Sequence, residues 1–269
     1  MNRNILKKLK VSTIIAGIVF IIIFGLSRKF FLTGITNFTE NMFLDWMLNK
    51  KTASSSTVSG NIVIIDIDQI TVDKFGQYDQ IPREIHAQVI DFLADAKPQA
   101  IVLGIPFFET DTTEDANDLL ISSVFEAGNV VLAVPFVNAQ PNSFIYKMYV
   151  PPRRFFVGNY SFKLDSTVTK NFPSMQCIYG NFFDLYNNAP HIGFINYFPD
   201  QDTTIRRSPL FINFAEQQIP GLAMSAFCHI YNVDQENIHI DPGNSIRIDT
   251  DERSVEIPLD SSSRMLINY

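Results

Sequence analysis

The apolar run Ile62-Val63-Ile64-Ile65 ends in two carboxylates two residues apart, Asp66 and Asp68. On an extended chain residues i and i+2 project from one face. The pair is therefore able to hold a cation or to accept hydrogen bonds from a polar ligand. In a doubly wound sheet, ligands bind outside the carboxyl ends of the strands, and the rim expected here adds Arg83 and the Glu109 that follows Phe107-Phe108. Asp66, Asp68, Arg83 and Glu109 are the candidate ligand-binding residues. No catalytic residue, metal ligand or cofactor is assigned.

An apolar strand ending in D-x-D also suits phosphoryl transfer, with the first carboxylate as nucleophile and the second as acid/base beside Mg²⁺. The haloacid-dehalogenase pattern wants Thr or Val two residues after the second Asp, where this chain has Ile70. Nor does a later strand end in an acidic pair. The plain structural use is that one Asp caps a turn while the other pairs with Arg83 or Arg207. G-x-x-x-x-G-K-[ST], a strand-linked G-x-G-x-x-G, H-E-x-x-H and G-x-S-x-G are all missing, so catalysis is not the default reading. His86, His191, His229 and His239 show no metal-binding spacing. Cys177 and Cys228 are able to form one disulfide outside the cytoplasm, but Cys228 lies in an apolar helical stretch that suits a small buried thiol.

The elements that must position these residues alternate. Ile62–Ile67 reads as a strand buried on both faces. Pro82 and Pro98 frame a helix with apolar positions Ile85, Val89, Phe92, Leu93 and Ala96. Ala100–Ile105 is a second apolar strand, residues 115–127 a second helix, and Val130–Val134 a third strand. The expected fold class is α/β, a mixed sheet with a parallel β-α-β-α-β core flanked by helices. Beyond Pro135, Ile192–Tyr197 and Ser208–Phe214 read as a hairpin across a polar turn, and Pro220–Tyr231 as a helix. Short antiparallel strands are expected around 238–240, 246–248, 255–257 and 265–267. In the turn Asp200–Leu210, Arg206 is expected to pair with an acid of the same turn.

One transmembrane helix is expected before this domain. Residues 11–27 carry no charge, and eleven of the seventeen are Val, Ile, Leu or Phe, roughly −3 to −6 kcal/mol of insertion energy. Arg3, Lys7, Lys8 and Lys10 precede the run with no acid among them, which keeps residues 1–10 cytoplasmic. Gly25 and Ser27 would suit a cleaved signal peptide, but an apolar face at Phe31, Ile35, Phe38, Met42 and Trp46 continues beyond the run and favours an uncleaved anchor. The expected plan is a cytoplasmic segment 1–10, an anchor 11–27, a membrane-proximal helix 28–50, a Ser/Thr-rich linker 51–60 and one globular domain 61–269. A net charge of −7 argues against nucleic acid as partner, and 46% hydrophobic residues exclude disorder.

The order of segments resembles the second type of CHASE domain, an extracytoplasmic sensor of bacterial receptors. Ile62–Asp68, then GQYDQIPREIH at 76–86, then Ile101–Phe107 follow that family's order. Gly193 to Asn196 is similar to its G-x-x-N, and Asp200–Leu210 to its D-x-D-G-x-x-R-x-x-P-L. Ile219–Ala223, Pro258–Asp260 and Met265–Tyr269 are similar to its closing segments. Tyr78, Ile81, Gly104 and Thr203 depart from the pattern. The resemblance implies a membrane-anchored, non-catalytic sensory domain in the inner membrane, facing the periplasm or the outside. Such a domain would bind an unknown small ligand or stimulus, with a possible homodimer, and its output module would lie outside this chain. The alternative is an extracytoplasmic metal-dependent phosphohydrolase using Asp66 and Asp68.

Overall fold

The computed structural model describes residues 16–20, 23–25, 39–50, 60–108, 114–138, 161–179, 182–200 and 202–267. They fall into two compact units, one drawn from residues 1–63 and the other Ile64–Ile267. In the first, residues 16–20, 23–25 and 39–50 are helical, and Phe43 stacks on Trp46 with ring centres 5.7 Å apart. Among the described residues no helix is long and apolar enough to cross a membrane. Of the expected anchor only residues 16–20 and 23–25 are described, and of the expected linker only Gly60.

The second unit opens with α1 (Gln69–Phe75), which Asp68 caps by accepting from the Thr71 backbone N–H at 2.9 Å and from its hydroxyl at 2.8 Å. Next comes α2 (Arg83–Asp95), whose buried residues Arg83, Ala87 and Ile90 recur at i, i+4 and i+7. Pro82 precedes it, and Lys97 with positive φ followed by Pro98 ends it. Strand β1 (Ile101–Leu103), α3 (Glu114–Ala127) and β2 (Val130–Val134) follow. Strand β2 is buried along its whole length because it is the middle of a parallel sheet.

The chain then passes through β3 (Phe136–Val137), α4 (Ser166–Thr169), β4 (Cys177–Ile178) and α5 (Phe183–Asn188). β3 and β4 pair antiparallel. Strand β5 (His191–Phe194) then runs parallel to β2, giving the order β1-β2-β5. The core includes Ile90, Leu120, Leu132, Leu185, Ile192 and Phe194, side chains whose burial contributes about 1.5–3 kcal/mol each.

Two expectations are corrected here. Residues 62–67 are not the first strand of the sheet: Ile62, Val63, Ile64 and Ile65 are unpaired and 71%, 83%, 86% and 61% exposed. The cap at Asp68 turns the chain straight into α1. Residues 192–197 and 208–214 form no hairpin either. The first segment contributes β5, because Gly193 lets that strand lie directly beneath a helix, and the second splits at Leu210 into β6 (Arg207–Pro209) and β7 (Phe211–Phe214).

Strand β7 pairs instead with β8 (Gln217–Pro220) across Ala215 and Glu216, both at positive φ as a tight hairpin turn requires. Helix α6 (Leu222–Ile230) follows, then the antiparallel meander β9 (Ile238–Asp241), β10 (Ser245–Asp249) and β11 (Ser254–Pro258). Strand β12 (Arg264–Leu266) closes on β6. A second apolar cluster, including Phe172, Phe211, Met224, Ile246 and Ile248, fills the space between α6 and the meander. Cys177 and Cys228 are buried free thiols.

Candidate functional site

The four residues expected at the rim have different surroundings. Asp66 is exposed on the unpaired segment. Asp68 is exposed too, and the Thr71 hydrogen bonds that make it a helix cap hold its carboxyl below the usual range. A general acid needs the opposite shift, so the capped Asp68 does not suit the acid/base role of a D-x-D phosphohydrolase. Arg83 is only 4% exposed. Its guanidinium donates to the Asn117 side chain and the Phe108 carbonyl and lies 4.1 Å from the centre of the Phe182 ring. Arg83 thus binds α2 to α3 and to the chain leaving β1. The same stretch is held by Tyr186, whose hydroxyl donates to the Phe107 carbonyl at 2.7 Å, and by His86, edge-on to the Phe107 ring at 5.2 Å. Burial, aided by the Arg83 charge, lowers the His86 pKa. Glu109 lies outside the described residues.

A different set of residues surrounds an open volume. A cavity of about 790 Å³ is lined by His191 at the start of β5, by Cys228 and His229 on α6, and by Asp234 and Glu236 beyond that helix. The two imidazoles touch, with ring centres 4.2 Å apart and planes tilted by 45°. They meet because α6 crosses β5 at Gly193, where an added Cβ would lie 2.4 Å from the Leu222 Cα and 2.7 Å from its backbone nitrogen. Burial and then the neighbouring His229 push the His191 pKa down to about 4, so His191 is neutral at pH 7. Burial raises the Cys228 thiol to about 12. It is protonated at neutral pH and is not a nucleophile.

Other polar groups at the cavity serve the fold. Ser161 donates to the Gln217 side chain at 2.7 Å. Asp234 takes part in a capping box with Asn237. Among the described residues no group of three or more His, Cys, Asp or Glu stands where it could hold a metal ion. Sequence reasoning missed the cavity because its two histidines are far apart in the chain and carry no motif. The available signal was Gly193, small enough for a helix to cross closely.

Arg206, expected to pair with an acid of its own turn, does so. Arg206, 5% exposed, bonds Asp202 at 2.9 Å and lies 3.5 Å from the 7% exposed Asp200. Asp200 also meets Arg207 at 3.0 Å and Arg264 of β12 at 3.3 Å, and Arg264 in turn bonds Asp260 at 3.0 Å. The Arg206 bond holds the Asp202 carboxyl down to about 2. Nearby, Asn196 extends the sheet with its side chain, accepting from the Phe136 N–H at 2.8 Å and donating to its carbonyl at 2.6 Å. The residues that carried the family resemblance in this half, Gly193, Asn196, Asp200, Arg206, Pro220 and Gly221, therefore gather where β5, β6, α6 and β12 are joined.

No curated protein and no solved structure matches the chain. The family model for the CHASE2 domain matches residues 15–269, and the chain belongs to the CHASE2 family, extracellular sensory domains of signalling receptors.

Proposed function

We propose that this chain is the membrane-anchored sensory part of a bacterial signal-transduction receptor. In this reading residues 11–27 are a single anchor in the inner membrane, 1–10 are cytoplasmic, 28–50 and 51–60 connect, and 61–269 face the periplasm or the outside of the cell. The observation that carries it is the family match across 15–269. It is supported by the uncharged run 11–27 and the cations before it. The domain binds and does not turn over its stimulus, and the response is made by an output module outside these residues. A small ligand in the cavity beside His191 and His229, and a homodimer in the membrane, are the partners the reading calls for.

The cavity is the preferred ligand site because it combines a concave volume with polar groups from β5, α6 and the chain after that helix. Asp66, Asp68, Arg83 and Glu109 remain a proposed second set of contacts for a polar ligand. A single test separates the sites. Small-molecule fractions from the growth medium are screened for saturable binding to the detergent-solubilised chain, and each hit is retested on Asp66→Asn/Asp68→Asn and on His229→Gln. Loss of binding in His229→Gln alone supports the cavity, and loss in the Asp pair alone supports the rim. Metal-dependent hydrolysis of a phosphate ester would overturn the non-catalytic reading.

A further inference from the structure

We propose that His191 and His229 form a proton-operated contact between β5 and α6, closed when both imidazoles are neutral and forced apart when acid charges them. The inference does not need a ligand. It leans on the sensory reading only in that a domain outside the cytoplasm meets the pH of its surroundings.

The geometry makes the contact sensitive to charge. One ring stands on the sheet and the other on the helix, 4.2 Å apart between centres, where two positive charges repel each other more than at a fully solvated surface. Both rings are half-buried. Among the described residues no ion pair reaches either ring to hold an imidazolium in place. The charged and titratable groups that share the cavity are few. On α6 there is Cys228, a thiol that stays neutral. Beyond the helix are Asp234, engaged in its capping box, and Glu236. Strand β2, beside β5, presents Val131 opposite His191 and no charge. Two imidazoles with His191 well below its ordinary pKa take up the second proton only in acid or by separating.

The seam they span is narrow. At Gly193 the backbones of β5 and α6 are already as close as the absence of a side chain allows, so the helix cannot move nearer to the sheet and relief of the repulsion takes it outward. Helix α6 also lines the cavity and covers the second apolar cluster. Outward movement of α6 would widen the cavity and loosen the packing of the meander. Acid and cavity ligands would then act on the same element, which is the arrangement expected of a two-state switch biased by histidine protonation.

The test uses the full chain in detergent micelles, by amide hydrogen exchange corrected for the intrinsic effect of pH. Between pH 7.5 and pH 5.0 the amides of α6 are expected to open at least tenfold more often, while those of the histidine-free α3 change less than threefold. His191→Gln removes the buried ring and should reduce the α6 response to less than threefold, whereas His229→Gln removes the repulsion but not the burial of His191 and should give a response smaller than that of the native chain. An undiminished response in both variants, or none in the native chain, would overturn the proposal. If either variant fails to fold, the imidazole proton resonances of the native chain decide. Two coupled titrations, with one ring protonating well below its ordinary range, are expected, whereas two independent titrations at ordinary values would refute it.

Discussion

Replacing Gly193 with alanine puts a methyl group 2.4 Å from the Leu222 Cα and 2.7 Å from its nitrogen, where carbon atoms prefer about 3.5–4.0 Å. Both obstructing atoms are backbone at the start of α6, so no rotamer change relieves the clash and the helix must retreat by about 1 Å. Overpacking of this kind costs about 1–3 kcal/mol, and a rigid obstacle places this site at the upper end. For a domain of this size 1 kcal/mol moves Tm by about 2–4 °C, so Gly193→Ala should melt about 5–12 °C below the native chain. Circular dichroism at the helical minimum measures it. Gly104→Ala is the control, because nothing lies within 4 Å of an added Cβ there. The ordinary gain of about 0.4–1 kcal/mol from a stiffer unfolded chain should leave its Tm level or slightly raised. If Gly193→Ala also melted within about 1 °C of the native chain, the close crossing of β5 and α6 would be refuted.

Asp200→Ala takes from three buried or half-buried arginines the acid they share, each keeping one other carboxylate, and should cost about 1.5–3 kcal/mol. Asp202→Ala removes a 45% exposed partner and should lower stability far less than Asp200→Ala; equal effects in chemical denaturation would contradict the ranking. Tyr186→Phe strips the buried Phe107 carbonyl of its donor and should destabilise by about 1–3 kcal/mol in urea, and an unchanged midpoint would remove Tyr186 as a tie to the chain after β1. His191 titrates near 4 in the folded chain and near 6.5 when unfolded, so the unfolded chain binds the extra proton between these values. Stability is therefore full above about pH 6.5 and declines toward pH 4. Solvent screening of a half-buried ring reduces the full effect to about 1–2 kcal/mol, and the decline should flatten in His191→Gln.

Elements framed by local chemistry were readable from the sequence. Pro82 and Pro98 bracket α2, the all-apolar Val130–Val134 announces the central strand, and alternating residues announce β9 to β11. The ordered motifs from Ile62 to Met265 pointed to the family as well. The errors arose where pairing is decided by tertiary contacts. Ile62–Ile65 has the composition of a buried strand, yet it is exposed and joins no strand of the sheet. Ile192–Tyr197 looked like half of a hairpin because the strand that β5 pairs with, Val131–Val134, is remote in sequence. The candidate site shifted for the same reason, since a strand-end rim built on Asp66 depends on the strand. The His191–His229 contact arises from a helix crossing that no spacing rule encodes.

Residues 61–269 are proposed to form a sensory domain held outside the cytoplasm by residues 11–27. Protease treatment of spheroplasts carrying an N-terminal epitope tag tests it directly, with lysed spheroplasts as the control for access. Digestion from outside should remove the globular domain and leave a short tagged fragment that stays with carbonate-washed membranes. A chain that survives intact in sealed spheroplasts but is cut after lysis, or one released from washed membranes, would contradict the claim.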